Sequence, residues 1–243
     1  MAQRGTEIDF GAFSALTFDC YGTLIDWESG ISAALRSLLP GATSVTDDEL
    51  LETYGRYESE AEHGEYLPYR SVLAQVARRF LETCPTAGRD PGANQSAMES
   101  FAASVADWPA FPDSGAALAE LGQTFRLGIV SNVDDDLFAA SANRLGTEFD
   151  EVVTAQQVGS YKPAPGHFLT MERRLGLPRE RILHVAQSLY HDIEPARALG
   201  YTCVWVNRRA GRPGAGATPP ASATPDLEVP DMASLARRVR EAG

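Results

Sequence analysis

Short apolar runs that break into polar clusters recur along the chain, and most are followed by a segment with helical spacing of apolar residues. Ala15-Leu16-Thr17-Phe18 runs into Asp19-Cys20-Tyr21-Gly22-Thr23, and Phe125 to Val130 runs into Ser131-Asn132 ahead of an amphipathic stretch from Asp134 to Leu145. Val152-Val153 leads to Gly159-Ser160-Tyr161-Lys162-Pro163 and then to a helical pattern from Pro165 to Leu175 that stops at Gly176. Ile182 to Ala186 ends in Gln187-Ser188-Leu189-Tyr190-His191-Asp192, before a helix that stops at Gly200, and Cys203-Val204-Trp205-Val206 reads as a further strand. Strands alternating with helices of about ten to fifteen residues predict an α/β fold on a doubly wound, mostly parallel sheet with right-handed crossovers.

Residues 27–107 break this rhythm. They contain no convincing strand, and helical spacing recurs over Ile31 to Leu39, Asp47 to Glu62 and Tyr69 to Leu81. The expected organisation is a Rossmann-like core of residues 1–26 and 108–243, with a helical cap domain of residues 27–107 inserted after the first strand. Ala210 to Pro225 is rich in Gly, Pro, Ala and Thr with little to bury, and is expected to be a mobile loop.

Composition narrows the function classes. A chain of 243 residues with 44% apolar residues can bury a full core. No stretch is long or apolar enough to span a bilayer, and Met1 to Glu7 lacks the apolar centre of a secretion signal, so a cytoplasmic protein is expected. Cys20, Cys84 and Cys203 are too scattered for a disulfide framework or a chelating pair, and free thiols are expected. A net charge of -12 repels phosphate backbones and argues against nucleic-acid binding. If the substrate is a small anion, the site must hold local cations against this field, and lysine is scarce.

In a parallel sheet the strand ends share one edge, where ligands of open α/β sheets bind. That edge then presents Asp19 with Thr23, Ser131 with Asn132, Lys162, and Ser188 with Asp192. The motifs Phe18-Asp19-Cys20-Tyr21-Gly22-Thr23-Leu24, Val130-Ser131-Asn132, Tyr161-Lys162-Pro163 and Ser188 to Asp192 resemble, in order, those of the haloacid dehalogenase superfamily. Phosphatases of that superfamily carry a second Asp two residues after the nucleophile, which protonates a leaving alkoxide. Tyr21 stands there instead, and a halide leaves without a proton, so the chain resembles the L-2-haloacid dehalogenase (type II) branch.

The resemblance implies hydrolytic dehalogenation of short 2-haloacids through an aspartyl ester on Asp19, with no metal or cofactor. Lys162 is then expected to orient the ionised nucleophile, Asp192 to orient Lys162 or activate water, and Thr23 to organise the turn. Ser131 and backbone N–H groups are expected to take the substrate carboxylate, and Asn132 and a cap arginine the halide. Arg56 is the candidate arginine, with Arg70 as its competitor. Ser188 and His191 join the binding set, and Tyr21, Trp27, Tyr66, Tyr69, Trp108 and Phe168 are candidates to wall an apolar slot. The partners expected are a short haloacid and halide, and a homodimer is in keeping with the resemblance.

Two departures concern substrate orientation. Leu189 stands where the best-known haloacid dehalogenases carry an amide, with Gln187 as the candidate substitute, and Phe168 stands where they carry a Tyr. The alternative readings are a magnesium phosphatase using Asp19, a backbone carbonyl and Asp192, and a binding protein that keeps the fold without turnover.

Overall fold

The computed structural model describes residues 8–40, 44–83, 91–212, 214 and 216–243. Six strands form one sheet in the order β3-β2-β1-β4-β5-β6, and every neighbouring pair is parallel. They are β1 (Ala15–Phe18), β2 (Arg126–Ser131), β3 (Glu151–Thr154), β4 (Ile182–Ala186), β5 (Thr202–Val206) and β6 (Leu227–Val229). All of β1 is buried, which is why its sequence is a continuous apolar run rather than an alternating one. It sits at the switch point of the sheet: successive strands lead outward through β2 and β3 on one side and β4 to β6 on the other. Phe18 is paired with Ile129 of β2 and Val185 of β4, so the next residue, Asp19, leaves the sheet at its centre.

The helices are α1 (Trp27–Leu38), α2 (Asp47–Glu62), α3 (Tyr69–Thr83), α4 (Pro91–Ala103), α5 (Ser114–Leu121), α6 (Asp135–Leu145), α7 (Ala155–Val158), α8 (Gly166–Leu175), α9 (Glu194–Leu199) and α10 (Met232–Ala242). Helices α1 to α4 lie between β1 and β2 in the chain. α1 begins earlier than the apolar spacing predicts because Asp26 caps it, accepting from the Ser29 N–H. α2 has the predicted limits, fixed by a reciprocal capping box between Thr46 and Glu49. The start of α3 is capped from outside the insertion, where Asp134 accepts the N–H groups of Tyr69 at 2.9 Å and Arg70 at 3.0 Å.

Within the stretch 210–225, expected to bury little, residues 216–218 turn inward, with Ala217 fully buried against Gly55 of α2, while its other described residues are exposed or half-buried. A Cβ at Gly55 would lie 2.3 Å from the Ala217 carbonyl oxygen, so the missing side chain is what lets the loop approach the helix. Cys20 and Cys203 are buried free thiols, and Cys84 lies outside the described residues. No helix among the described residues is long and apolar enough to cross a membrane.

Candidate active site

Lys162, the chain's only lysine, reaches back from the segment before α8 to the centre of the sheet. Its side chain is 1% exposed, and each ammonium proton has an acceptor. Nζ lies 2.9 Å from Asp19 Oδ1, 2.9 Å from the Val130 carbonyl oxygen and 2.7 Å from Asp192 Oδ1. Burial works against the charge, but the two carboxylates outweigh it and push the ammonium pKa up to about 12. An unpaired ammonium at this depth would be prohibitively costly, so the two carboxylates and the lysine form one unit.

Asp19 accepts at its second oxygen from Thr23 Oγ1 at 2.8 Å, and Thr23 Oγ1 in turn accepts the Gln187 N–H at 2.9 Å. The turn between them is fastened from behind by Arg208, whose guanidinium donates to the Thr23 carbonyl at 2.8 and 3.1 Å. Gly22 has φ +91°, and a Cβ there would lie 2.8 Å from Trp27 Nε1 and 3.0 Å from Gln187 Oε1. Burial raises the Asp19 carboxyl above its ordinary value and Asp192 adds to this, while Lys162 and Thr23 oppose it.

Asp192 is fully buried in a π-helical turn, Leu189–Ile193, that opens α9. Burial would raise its pKa, but Lys162 and a hydrogen bond from His184 prevail and hold it down at about 2. His184 Nε2 lies 3.2 Å from Asp192 Oδ1, and its Nδ1 lies 3.1 Å from Thr17 Oγ1. With the carboxylate ionised, Nε2 is the donor and Nδ1 accepts the Thr17 hydroxyl. Asp192 Oδ2 and Ser131 Oγ are buried without a hydrogen-bond partner.

These groups open into one cleft at the carboxyl end of the sheet. Of the predicted residues, Asp19, Tyr21, Trp27, Ser131, Asn132, Lys162, Ser188, His191 and Asp192 line it, while Thr23 stands behind Asp19. Asn132 clamps the backbone of Lys162, donating to its carbonyl at 3.1 Å and accepting its N–H at 2.7 Å. The Tyr21 hydroxyl is tied to Ser141 Oγ at 2.8 Å on α6, and burial raises its pKa well above the ordinary phenol value, so it offers no acid to the cleft. Ser188 caps the π-helical turn by accepting the His191 N–H at 2.8 Å. His191 is neutral, because burial lowers its pKa to about 4.

Arg56 is not brought to the site. It is exposed on α2 and rests over the ring of Tyr57, because the inward face of that helix is taken by Tyr54, Glu58 and Glu62. Arg70 also faces away and pairs with Asp136 at 2.5 Å. Of the candidate aromatics, Tyr69 lines the cleft, Trp108 packs edge-on behind Tyr21, and Phe168 packs against His184 beneath the site. Tyr66 stacks on Tyr161 outside it.

Sequence reasoning missed Glu58, Glu62 and Thr218, which line the cleft, and His184 behind Asp192, while Gln187, the candidate substitute for the missing amide, does line it. The two glutamates stand four apart on α2, a spacing that puts both on one helix face and was available as a signal. His184 sits in an apolar strand that gives no local hint of its partner. Among the described residues, no group of three or more His, Cys, Asp or Glu is arranged to hold a metal ion.

A family model for haloacid dehalogenase-like hydrolases matches residues 13–200. The chain is 27% identical over 227 residues to haloacetate dehalogenase H-2 of Moraxella sp. (strain B), covering 91% of this chain and 95% of that protein. It is 27% identical over 235 residues to the (S)-2-haloacid dehalogenase of Pseudomonas sp. (strain YL), covering 90% and 91%. An L-2-haloacid dehalogenase from Xanthobacter autotrophicus, solved with chloropropionic acid covalently bound, shares the fold with a TM-score of 0.76 at 24% identity, over 94% of this chain and 98% of that one.

Proposed function

Because the chain belongs to the haloacid dehalogenase-like hydrolases, we propose that it hydrolyses a carbon–halogen bond in a short substrate through a covalent ester on Asp19. The observation that carries this reading is the buried contact of Lys162 with Asp19 beside a position, Tyr21, that supplies no acid. The reacting part of the substrate is a short carbon chain with its halogen next to a carbonyl, the chemistry shared by 2-haloacids and their uncharged analogues.

In the first step an Asp19 carboxylate oxygen forms a bond to the halogen-bearing carbon while the carbon–halogen bond breaks and its electron pair departs as halide. No proton is required by the leaving group, which is why a tyrosine with a tied hydroxyl suffices at position 21. Lys162 and Thr23 hold the nucleophile by one oxygen each and fix its direction of attack. In the second step water attacks the Asp19 carbonyl carbon, the ester C–O bond breaks on the acyl side, and the hydroxylated product leaves with Asp19 restored and one proton released. Asp192, ionised and with Oδ2 unpartnered, is the base assigned to that water. Ser131 Oγ is the free donor assigned to the substrate carbonyl oxygen.

The test is halide release in EDTA from chloroacetate, fluoroacetate, both enantiomers of 2-chloropropionate and chloroacetamide, comparing the native protein with Asp19→Asn. Release by the native protein alone supports the proposal, and undiminished release by the variant overturns it.

A further inference from the structure

The cap side of the cleft is acidic where an anionic substrate needs a cation. Glu58 and Glu62 project from one face of α2 into the same cleft as Lys162, and all three N–H bonds of that ammonium are taken within the protein. No arginine lines the cleft among the described residues. Arg56 of α2 lies over the Tyr57 ring, and others are held by carboxylates: Arg36 by Asp47, Arg70 by Asp136, Arg208 by Asp113, and Arg209 by Glu28 and Asp48.

Glu58 is fixed in place. Its Oε1 accepts the hydroxyls of Tyr54 at 2.7 Å and Tyr69 at 2.5 Å, so any proton on the carboxyl resides on Oε2. Burial pushes its pKa up to about 7 against those two donors. Burial and Glu58 also push Glu62 well above its ordinary value, against the attraction of Lys162. A substrate carboxylate here would meet carboxyl groups rather than a counter-ion. An amide would meet partners in either protonation state, since a carboxylate accepts its N–H and a neutral carboxyl both donates and accepts, and the buried Ser131 Oγ in the same cleft is an unused donor.

We propose that Glu58 and Glu62 make this site select an uncharged substrate, a short 2-halocarboxamide or a compound of the same hydrogen-bonding character, over the corresponding 2-haloacid. This inference rests on covalent displacement at Asp19 for its chemistry, but not for its binding order. The displaced halide, the aspartyl ester and its hydrolysis balance as before, with the hydroxyamide as product.

The experiment compares kcat/KM for chloroacetamide and chloroacetate in the native protein, Glu62→Gln and Glu58→Gln. In parallel, calorimetry measures the binding of both compounds to Asp19→Asn. The expected result is at least tenfold preference for chloroacetamide in the native protein, with that ratio falling severalfold in Glu62→Gln as chloroacetate improves. Equal or better use of chloroacetate, with the ratio unmoved by either substitution, overturns the inference. If neither compound releases halide, the covalent reading fails, while tighter binding of chloroacetamide by Asp19→Asn still supports the charge selection and tighter binding of chloroacetate overturns it.

Discussion

Lys162 donates to Asp192 Oδ1 at 2.7 Å and leaves the second oxygen of that carboxylate, Oδ2, buried and without a partner. The lysine therefore fixes the carboxylate without consuming it. Replacing Asp192 by Asn keeps the size and removes the base, so the ester formed on Asp19 should persist. One equivalent of halide per protein followed by a stall, with a covalent adduct on the Asp19 peptide by mass spectrometry, is the expected outcome. Continued turnover at the native rate would remove Asp192 from the hydrolytic step.

Lys162→Met should affect both fold and chemistry. It leaves Asp19 and Asp192 buried side by side with no cation, and breaking a buried pair by removing one partner costs about 3–5 kcal/mol. Urea denaturation should show a loss of that order, with halide release abolished. Lys162→Arg should not restore activity, because a planar guanidinium cannot direct three donors to Asp19, Val130 and Asp192 as the ammonium does.

The nucleophile sets the acid side of the pH profile. Asp19 must be ionised to attack, and burial raises its pKa above the ordinary carboxylate value, so kcat/KM should fall with decreasing pH at a point above pH 3.8. Thr23→Val removes a donor to the carboxylate form and should move that limb further upward. An unmoved limb in Thr23→Val would assign it to another group.

The strand-end motifs were legible because burial on both faces of a parallel sheet leaves continuous apolar runs, and Asp19, Ser131 and Lys162 follow or terminate such runs or turns. α2 was legible to the residue because Thr46 and Glu49 mark its start. The helix α4 was not, since Gly, Ala, Asn, Ser and Gln predominate over Pro91–Gln95 and its neighbours without apolar periodicity. β6 is only three residues long, and α10 places its few apolar residues among arginines. Arg56 illustrates a different limit: a helical pattern identifies the face that is buried, and Tyr54 and Glu58, not Arg56, lie on it. That Glu58 would be tolerated there depends on the Tyr54 and Tyr69 hydroxyls, and Tyr69 belongs to the next helix.

Gly22→Ala tests how tightly the nucleophile turn is built. The left-handed φ of +91° costs an L-residue about 1–2 kcal/mol, and the new methyl would press on Trp27 Nε1 and Gln187 Oε1, which line or border the cleft. The protein should fold with a loss of that order and a larger fall in kcat/KM. Native kinetics in a folded variant would show that the turn adapts.

Glu58→Gln gives a stability signature with a definite sign. The folded carboxyl is pushed up to about 7 by burial, from an ordinary value of 4.5, so the folded state holds a proton that the unfolded state has released between those limits. Stability contributed by that proton is complete below about pH 4.5 and is lost as pH rises toward 7 and beyond. The Gln variant keeps an oxygen that accepts the Tyr54 and Tyr69 hydroxyls, yet it has no proton to lose. The difference in Tm between variant and native should therefore grow in favour of the variant across this window and level off above it. Glu62, which Glu58 pushes up, is pushed up less in the variant and so adds to the same trend, while acids that do not face Glu58 titrate alike in both proteins and cancel in the difference. A difference that is flat from pH 4 to 9 would show that Glu58 titrates alike in the folded and unfolded chain, and that α2 presents an ordinary ionised carboxylate to the cleft.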